Sequence, residues 1–297
     1  MASKELQTCI EMFRSRPMPE NVSIEEMRES MEASFSQVPL AGDIRCEPVD
    51  AGGVVSEFIT APESVEKRVI YYLHGGGYLM GSINTHREMA SRLARAAKAR
   101  VLLIDYRLAP ENPFPAAVED SLTGYRWLLS NGVEPGRVVI SGESAGGGLS
   151  MATLVTLRDE GLPLPAAAVP ISPWVDMEAL GESMGTRAEI DPLLGRDMLL
   201  KMAKAYLGET EPRTPLASPI YANLTGLPPL LILTGTSEVL YDDATRLAKK
   251  AKGDGVSVFF EPWEEMIHMW HLLAAMLPEG QQAINRIGEF VIEHTND

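Results

Sequence analysis

Arg137-Val138-Val139-Ile140-Ser141-Gly142-Glu143-Ser144-Ala145-Gly146-Gly147 is the stretch on which the rest of the chain is read. An apolar run enters a Gly-x-Ser-x-Gly turn, and a small-residue segment that opens a helix leaves it. Strand, sharp turn and helix form an elbow that lifts the Ser144 hydroxyl above the sheet. The turn is too tight for bulk on either side, hence Gly142 and Gly146. The helix N-terminus favours negative charge developing beside the hydroxyl. By itself the pentapeptide reads equally well as a helix N-cap in a glycine-rich loop, so its surroundings must decide.

A second stretch tips the balance. Val69-Ile70-Tyr71-Tyr72-Leu73 reads as a buried strand and runs into His74-Gly75-Gly76-Gly77. Successive glycines let backbone N–H groups face a cavity without side-chain obstruction, which is how an oxyanion hole is built from main chain. Tyr78-Leu79-Met80 continues the apolar character beyond the glycines, which argues against a surface loop.

If the elbow is that of an α/β-hydrolase, an acid and then a histidine follow the serine in chain order. Of five histidines, His268, His271 and His294 do so. His294 is read as part of a polar C-terminal tail. His268 follows Val256–Phe260, taken as the last strand, where the base must be delivered, with His271 as the alternative. For the acid, Leu230–Leu233 reads as a strand and Glu238 falls in the loop after it. A carboxylate there can accept the histidine Nδ1–H and stabilise the imidazolium. Asp242 and Asp243 compete, placed about a turn inside the following helix. Asp191 precedes that strand and is read as a turn or cap residue.

These motifs, with Asp105-Tyr106-Arg107-Leu108-Ala109-Pro110-Glu111, Pro113-Phe114-Pro115-Ala116-Ala117 and Ser172-Pro173-Trp174, make the chain resemble the hormone-sensitive-lipase-like esterases, bacterial family IV of lipolytic enzymes. The resemblance runs from about Val69 to the C-terminus. It implies an α/β-hydrolase fold with an oxyanion hole from the amides of Gly76, Gly77 and Ala145. It also implies a triad of Ser144, an acid and His268. The family's usual Asp-Pro-Leu-x-Asp stands here as Glu238-Val239-Leu240-Tyr241-Asp242, whose register supports Glu238. Glu143 replaces the commoner Asp before the nucleophile. Met269-Trp270 replaces the usual Gly-Phe after the histidine, a change expected to reshape the pocket near the leaving group.

Around the motifs, strands and helices alternate: strand 69–73, helix 85–98, strand 101–105, helix 116–129, strand 138–141, helix 145–159 and strand 166–171. Such alternation means a mostly parallel sheet with helices on both faces. Residues 1–40 carry helical apolar spacing, split by Pro17-Met18-Pro19, and form an N-terminal arm. The catalytic domain is expected over 41–175 and 216–297. Residues 176–215 interrupt the alternation with a Met-rich helical excursion, a second cap segment. A flexible apolar cap excludes water and accepts varied acyl groups.

The 297 residues are 45% hydrophobic and carry 26 Lys+Arg against 41 Asp+Glu, a net charge of −15. Such a charge argues against nucleic acid and anionic membrane surfaces as partners. Cys9 and Cys46 suggest no disulfide framework. Neither a signal peptide nor a transmembrane run is visible, so a cytoplasmic protein is expected. Metal-ligand spacing and nucleotide-binding loops are absent from the sequence, and no cofactor or metal is expected. The final strand offers an edge near 256–260 through which two copies could pair as a homodimer.

The expected activity is hydrolysis of small-molecule carboxylic esters, with a short acyl chain implied by the resemblance. A non-catalytic ligand receptor on the same fold is the rival, disfavoured by the presence of His268. Lactones, amides and acetylated small molecules are alternative substrates for the same machinery.

Overall fold

The computed structural model describes residues 2–15 and 22–295. The expected break at Pro17-Met18-Pro19 lies outside the described residues. Eight strands make one sheet: β1 (Arg45–Asp50), β2 (Val55–Thr60), β3 (Val65–Leu73), β4 (Ala99–Ile104), β5 (Val138–Glu143), β6 (Ala167–Ile171), β7 (Leu230–Gly235) and β8 (Val258–Trp263). Their spatial order is β1-β2-β4-β3-β5-β6-β7-β8. The β1–β2 and β2–β4 pairs are antiparallel and the other five are parallel.

The helices are α1 (Lys4–Ser15), α2 (Ile24–Phe35), α3 (Ile83–Ala97), α4 (Ala116–Ser130), α5 (Ala145–Asp159), α6 (Ser183–Thr186), α7 (Arg196–Leu207), α8 (Tyr241–Gly253) and α9 (Pro278–Thr295). Alternate residues of the central strands feed two cores. Val69, Tyr71, Leu73, Val138 and Ile140 pack on the face covered by α4, α5 and α8. Ile70, Tyr72 and Val139 pack on the opposite face with α1, α3 and α9. Two covered faces explain why these strands read as unbroken apolar runs. Each fully buried aliphatic side chain contributes about 1.5–3 kcal/mol to that packing.

Several boundaries differ from those read in the sequence. Helix α3 begins at Ile83, because Ser82 caps it and exchanges hydrogen bonds with Thr85. The last strand is Val258–Trp263, not 256–260. Val256 instead sends its amide to the Ala251 carbonyl and closes the end of α8. Helix α8 begins at Tyr241, so Asp242 and Asp243 stand in its first turn rather than a turn inside. His294 is not in a polar tail: it lies in the last turn of the 18-residue α9, its ring 4.0 Å from that of Phe290. The 176–215 excursion is helical only over the short α6 and over α7.

Both excursions from the sheet press on the loop after β3. Arg28 of α2 donates to the carbonyls of Leu79 and Ala109 and pairs with Glu111. Tyr206 of α7 stacks on Tyr78 at 3.7 Å between ring centroids. Cys9 is buried and Cys46 partly so, both unbridged. Among the described residues no helix is long and apolar enough to cross a membrane.

Candidate active site

The loops at the carboxyl ends of β3, β5, β7 and β8 meet at one rim of the sheet, where a parallel α/β sheet places its ligands. Ser144 sits between β5 and α5 with φ 54° and ψ −120°, a backbone conformation that costs a non-glycine residue about 1–3 kcal/mol. Its neighbours hold it there. The Ser144 amide donates to the Ile171 carbonyl, and its own carbonyl accepts from Trp174 and Gly148. A Cβ on Gly146 would stand 1.9 Å from the Leu73 carbonyl oxygen, so the expected exclusion of bulk is a matter of backbone meeting backbone.

Glu238 lies at the other side of the rim, fully buried. Its Oε1 accepts from Ser172 Oγ at 2.5 Å, Thr234 Oγ1 at 2.8 Å and the Gly235 amide at 2.6 Å. Its Oε2 stands 2.5 Å from His268 Nδ1. Burial works against the charge on Glu238, but the bonds from His268, Ser172 and Thr234 outweigh it and hold its pKa below the usual value. For His268, burial depresses the pKa, and Glu238, with smaller help from Asp191 and Glu143, raises it above 6.5. The two loops are stitched together: Thr236 donates to the Trp263 carbonyl and Ser237 to that of Met266.

The rival residues are engaged elsewhere. Asp242 accepts from the Ser183 amide, and Asp243 from the amides of Val175 and Asp176 and from Arg246. His271 is fully buried beside Trp270, with its pKa lowered to about 4 mainly by burial. Asp191 makes the expected turn, accepting from Leu193 and Leu194, and also takes the Val239 amide at 2.8 Å, directly after Glu238. Trp270 packs in the core against Trp263.

On the loop after β3, Gly76 and Gly77 have φ of 111° and 64°, values that favour glycine. Their amides bond to no other group among the described residues. Ala145 is the first residue of α5, so its amide has no acceptor within the helix. The Gly75 amide points the other way, into the carboxylate of Glu143. Met202 of α7 covers Gly77, its sulfur 2.5 Å from where a Cβ would be. His74 is buried, stacked on Tyr106 at 4.2 Å, with its Nδ1 on the Gly75 carbonyl oxygen.

Sequence reasoning missed Ser172 and Thr234 as partners of Glu238, and the contacts of Glu143 with Tyr72, Gly75 and His86. Ser172-Pro173-Trp174 was visible as a motif, but its hydroxyl becomes meaningful only once β6 is set beside β7. No group of three or more His, Cys, Asp or Glu arranged to hold a metal occurs among the described residues.

Residues 70–272 match the family model of the α/β-hydrolase fold. The chain is 45% identical to an acetyl-hydrolase of Streptomyces hygroscopicus over 100% of this chain and 99% of the other. A crystal structure of an esterase from the bacterial hormone-sensitive lipase family superposes with a TM-score of 0.97 at 49% identity, over 100% of both chains. EstE5, in crystals soaked with p-nitrophenyl butyrate, superposes with a TM-score of 0.96 at 50% identity over 99% of each chain. The chain thus belongs to the α/β-hydrolase fold family, among the esterases related to hormone-sensitive lipase.

Proposed function

We propose that this esterase hydrolyses short-acyl carboxylic esters through an acyl-enzyme, with Ser144 as nucleophile, His268 as base and Glu238 as acid. His268 takes the Ser144 proton as the hydroxyl oxygen attacks the ester carbonyl. Glu238 holds the imidazole by Nδ1 and offsets its positive charge. The amides of Gly76, Gly77 and Ala145 receive the oxyanion, each such donor being worth about 3 kcal/mol. His268 then protonates the leaving alcohol and activates the water that releases the acid.

The observation that carries this reading is the buried Glu238–His268 pair on the loops after β7 and β8, at the same end of the sheet as Ser144, which is held in strained backbone after β5. The short acyl chain is supported by the acetyl-hydrolase relative and by the p-nitrophenyl butyrate soaked into EstE5. The same relative favours acetylated small molecules as a second substrate class, served by the same machinery. Residues 1–40 and 176–215 act as the cap in this reading, with α2 and α7 resting on the oxyanion loop. The exposed edge of β8, where Phe259 is 44% accessible, is the proposed contact for a homodimer.

Hydrolysis of nitrophenyl esters of increasing acyl length, by wild type and Ser144→Ala, tests the proposal. Turnover should peak at the short chains and vanish in the variant. Folded wild-type protein that turns over no chain length would instead fit a receptor or a narrowly specific hydrolase. Light scattering of wild type and Phe259→Lys checks the dimer, which the charge should split.

A further inference from the structure

We propose that Glu143 is a positioning residue that sets the shape of the oxyanion loop from behind. The inference rests on the oxyanion site read above and gives the residue before the nucleophile a part in it. Glu143 ends β5 and is fully buried on the face covered by α3. Its carboxylate gathers three elements. Oε2 accepts from the Tyr72 hydroxyl of β3 at 2.5 Å. Oε1 accepts from His86 Nε2 of α3 at 2.7 Å and from the Gly75 amide of the oxyanion loop.

The Gly75 contact is the one with consequences for chemistry. Peptide units are planar, so Glu143 fixes the His74–Gly75 plane through the Gly75 amide, and His74 Nδ1 fixes the Gly75–Gly76 plane through the Gly75 carbonyl oxygen. In the second plane the Gly76 N–H points away from the Gly75 carbonyl oxygen and so from His74, and the Gly76 and Gly77 amides bond to no other group among the described residues. A side chain at 75 would prevent this, since its Cβ would stand 2.5 Å from Glu143 Oε1. Oxyanion stabilisation depends on donors held in place before charge develops, because amides that must reorient lose their advantage.

The network keeps Glu143 ionised and still. Burial opposes its charge, yet His86 and the Tyr72 bond bring its pKa to about 2. An ionised carboxylate requires His86 to donate through Nε2. The other ring nitrogen of His86 is held by Thr85 Oγ1 at 2.8 Å, within the first turn of α3. The imidazole is thus fixed at both nitrogens and anchors the carboxylate to a helix. Because Glu143 adjoins Ser144, one side chain ties the nucleophile's own strand to the loop that must receive the oxyanion.

The test measures kcat and KM per active site, titrated by phosphonate labelling, together with the inhibition constant of a trifluoromethyl ketone. Wild type, Glu143→Ala, Glu143→Gln, Glu143→Asp and Tyr72→Phe are compared. Loss of the carboxylate in Glu143→Ala should lower kcat about 100-fold, the loss expected from one misplaced oxyanion donor, with little change in KM. Ketone affinity should fall in parallel with kcat across the series. Glu143→Asp should recover most of the activity and Glu143→Gln should fall between. If Glu143→Ala does not fold, Tyr72→Phe, which removes one hydroxyl, should still lower kcat and ketone affinity together.

A kcat per titrated site within about threefold of wild type in every folded variant would overturn the proposal, since removal of a working oxyanion donor costs far more than that. So would a rise in KM at constant kcat. A wild type that turns over esters without being labelled at Ser144 points to failure of the nucleophile assignment instead. Labelling that stays normal while kcat ignores Glu143 counts against this proposal alone.

Discussion

Two glutamates stand at the carboxyl end of the sheet, Glu143 directly before Ser144 and Glu238 after β7, and both are fully buried with their oxygens engaged by donors. Glu238 meets a histidine on a loop, and Glu143 meets a histidine inside a helix. His268 is held at Nδ1 by Glu238, and no hydrogen bond to its Nε2 occurs among the described residues. His86 is held at both nitrogens, by Glu143 and by Thr85, and has nothing left to offer. Both carboxylates are kept charged against the cost of burial, which unpaired would run to several kcal/mol. A buried glutamate–histidine pair is therefore no signature of catalysis by itself. In the proposed mechanism it is a ring nitrogen left without a protein partner that separates a base from an anchor.

That contrast can be broken most sharply on the Glu238 side. Glu238→Ala should lower kcat by about 10³–10⁴-fold, as loss of a triad acid does, and Asp242→Ala by less than about tenfold. The reverse order would move the acid to α8. His268→Ala should abolish turnover while His271→Ala retains it, as steady-state rates would show; equal losses would mean that the base is misassigned.

A smaller effect is expected at Ser172, which donates to Glu238 and touches nothing that reacts. Ser172→Ala should cost about 10–100-fold in kcat/KM, the worth of one hydrogen bond to a charged group. An unchanged rate would mean that Thr234 and Gly235 alone suffice to hold the carboxylate.

The pH profile sharpens the comparison further. In the proposed mechanism His268 is neutral when it accepts the proton, and its pKa is raised, so kcat/KM should climb with pH along a limb centred above 6.5. Asp191 contributes to that elevation across the boundary with the 176–215 segment. Asp191→Asn should therefore move the limb to lower pH by a fraction of a unit. A shift to higher pH would show that Asp191 does not act on His268 through its charge.

The mildest prediction concerns stability. His74 and His271 are buried neutral, their pKa values lowered to about 3 and about 4 from 6.5. The unfolded chain then binds more protons than the folded one below 6.5. Stability from these two groups is complete above that pH and is lost as pH falls toward 4 and then 3. Each should steepen the decline by about 1.4 kcal/mol per pH unit. In denaturant titrations, His271→Gln should flatten the slope between pH 6 and about pH 5, above the range where carboxylates protonate.

Much of this was legible because local chemistry and global fold agree. The elbow, the glycine loop and the apolar runs of β3, β5 and β7 each have a periodicity or a steric demand that one sequence exposes. Strand β8 was harder. It lies at the edge of the sheet and carries Glu261 and Pro262, so it lacks the apolar continuity of the central strands. His294 looked like part of a tail because polar residues crowd the last turn of α9, though Phe290 and Val291 are buried there. The Glu143 network left no trace in the sequence, since its donors come from β3, the glycine loop and α3. Spacing along the chain cannot report that convergence.

The most direct test of the central claim is mass spectrometry of the protein after reaction with a p-nitrophenyl phosphonate, in wild type, Ser144→Ala and Glu238→Ala. A single adduct mapping to Ser144, absent from Ser144→Ala and formed orders of magnitude more slowly in Glu238→Ala, is the predicted result. An adduct on another residue, or labelling at an undiminished rate without Glu238, would contradict the assignment of nucleophile and acid.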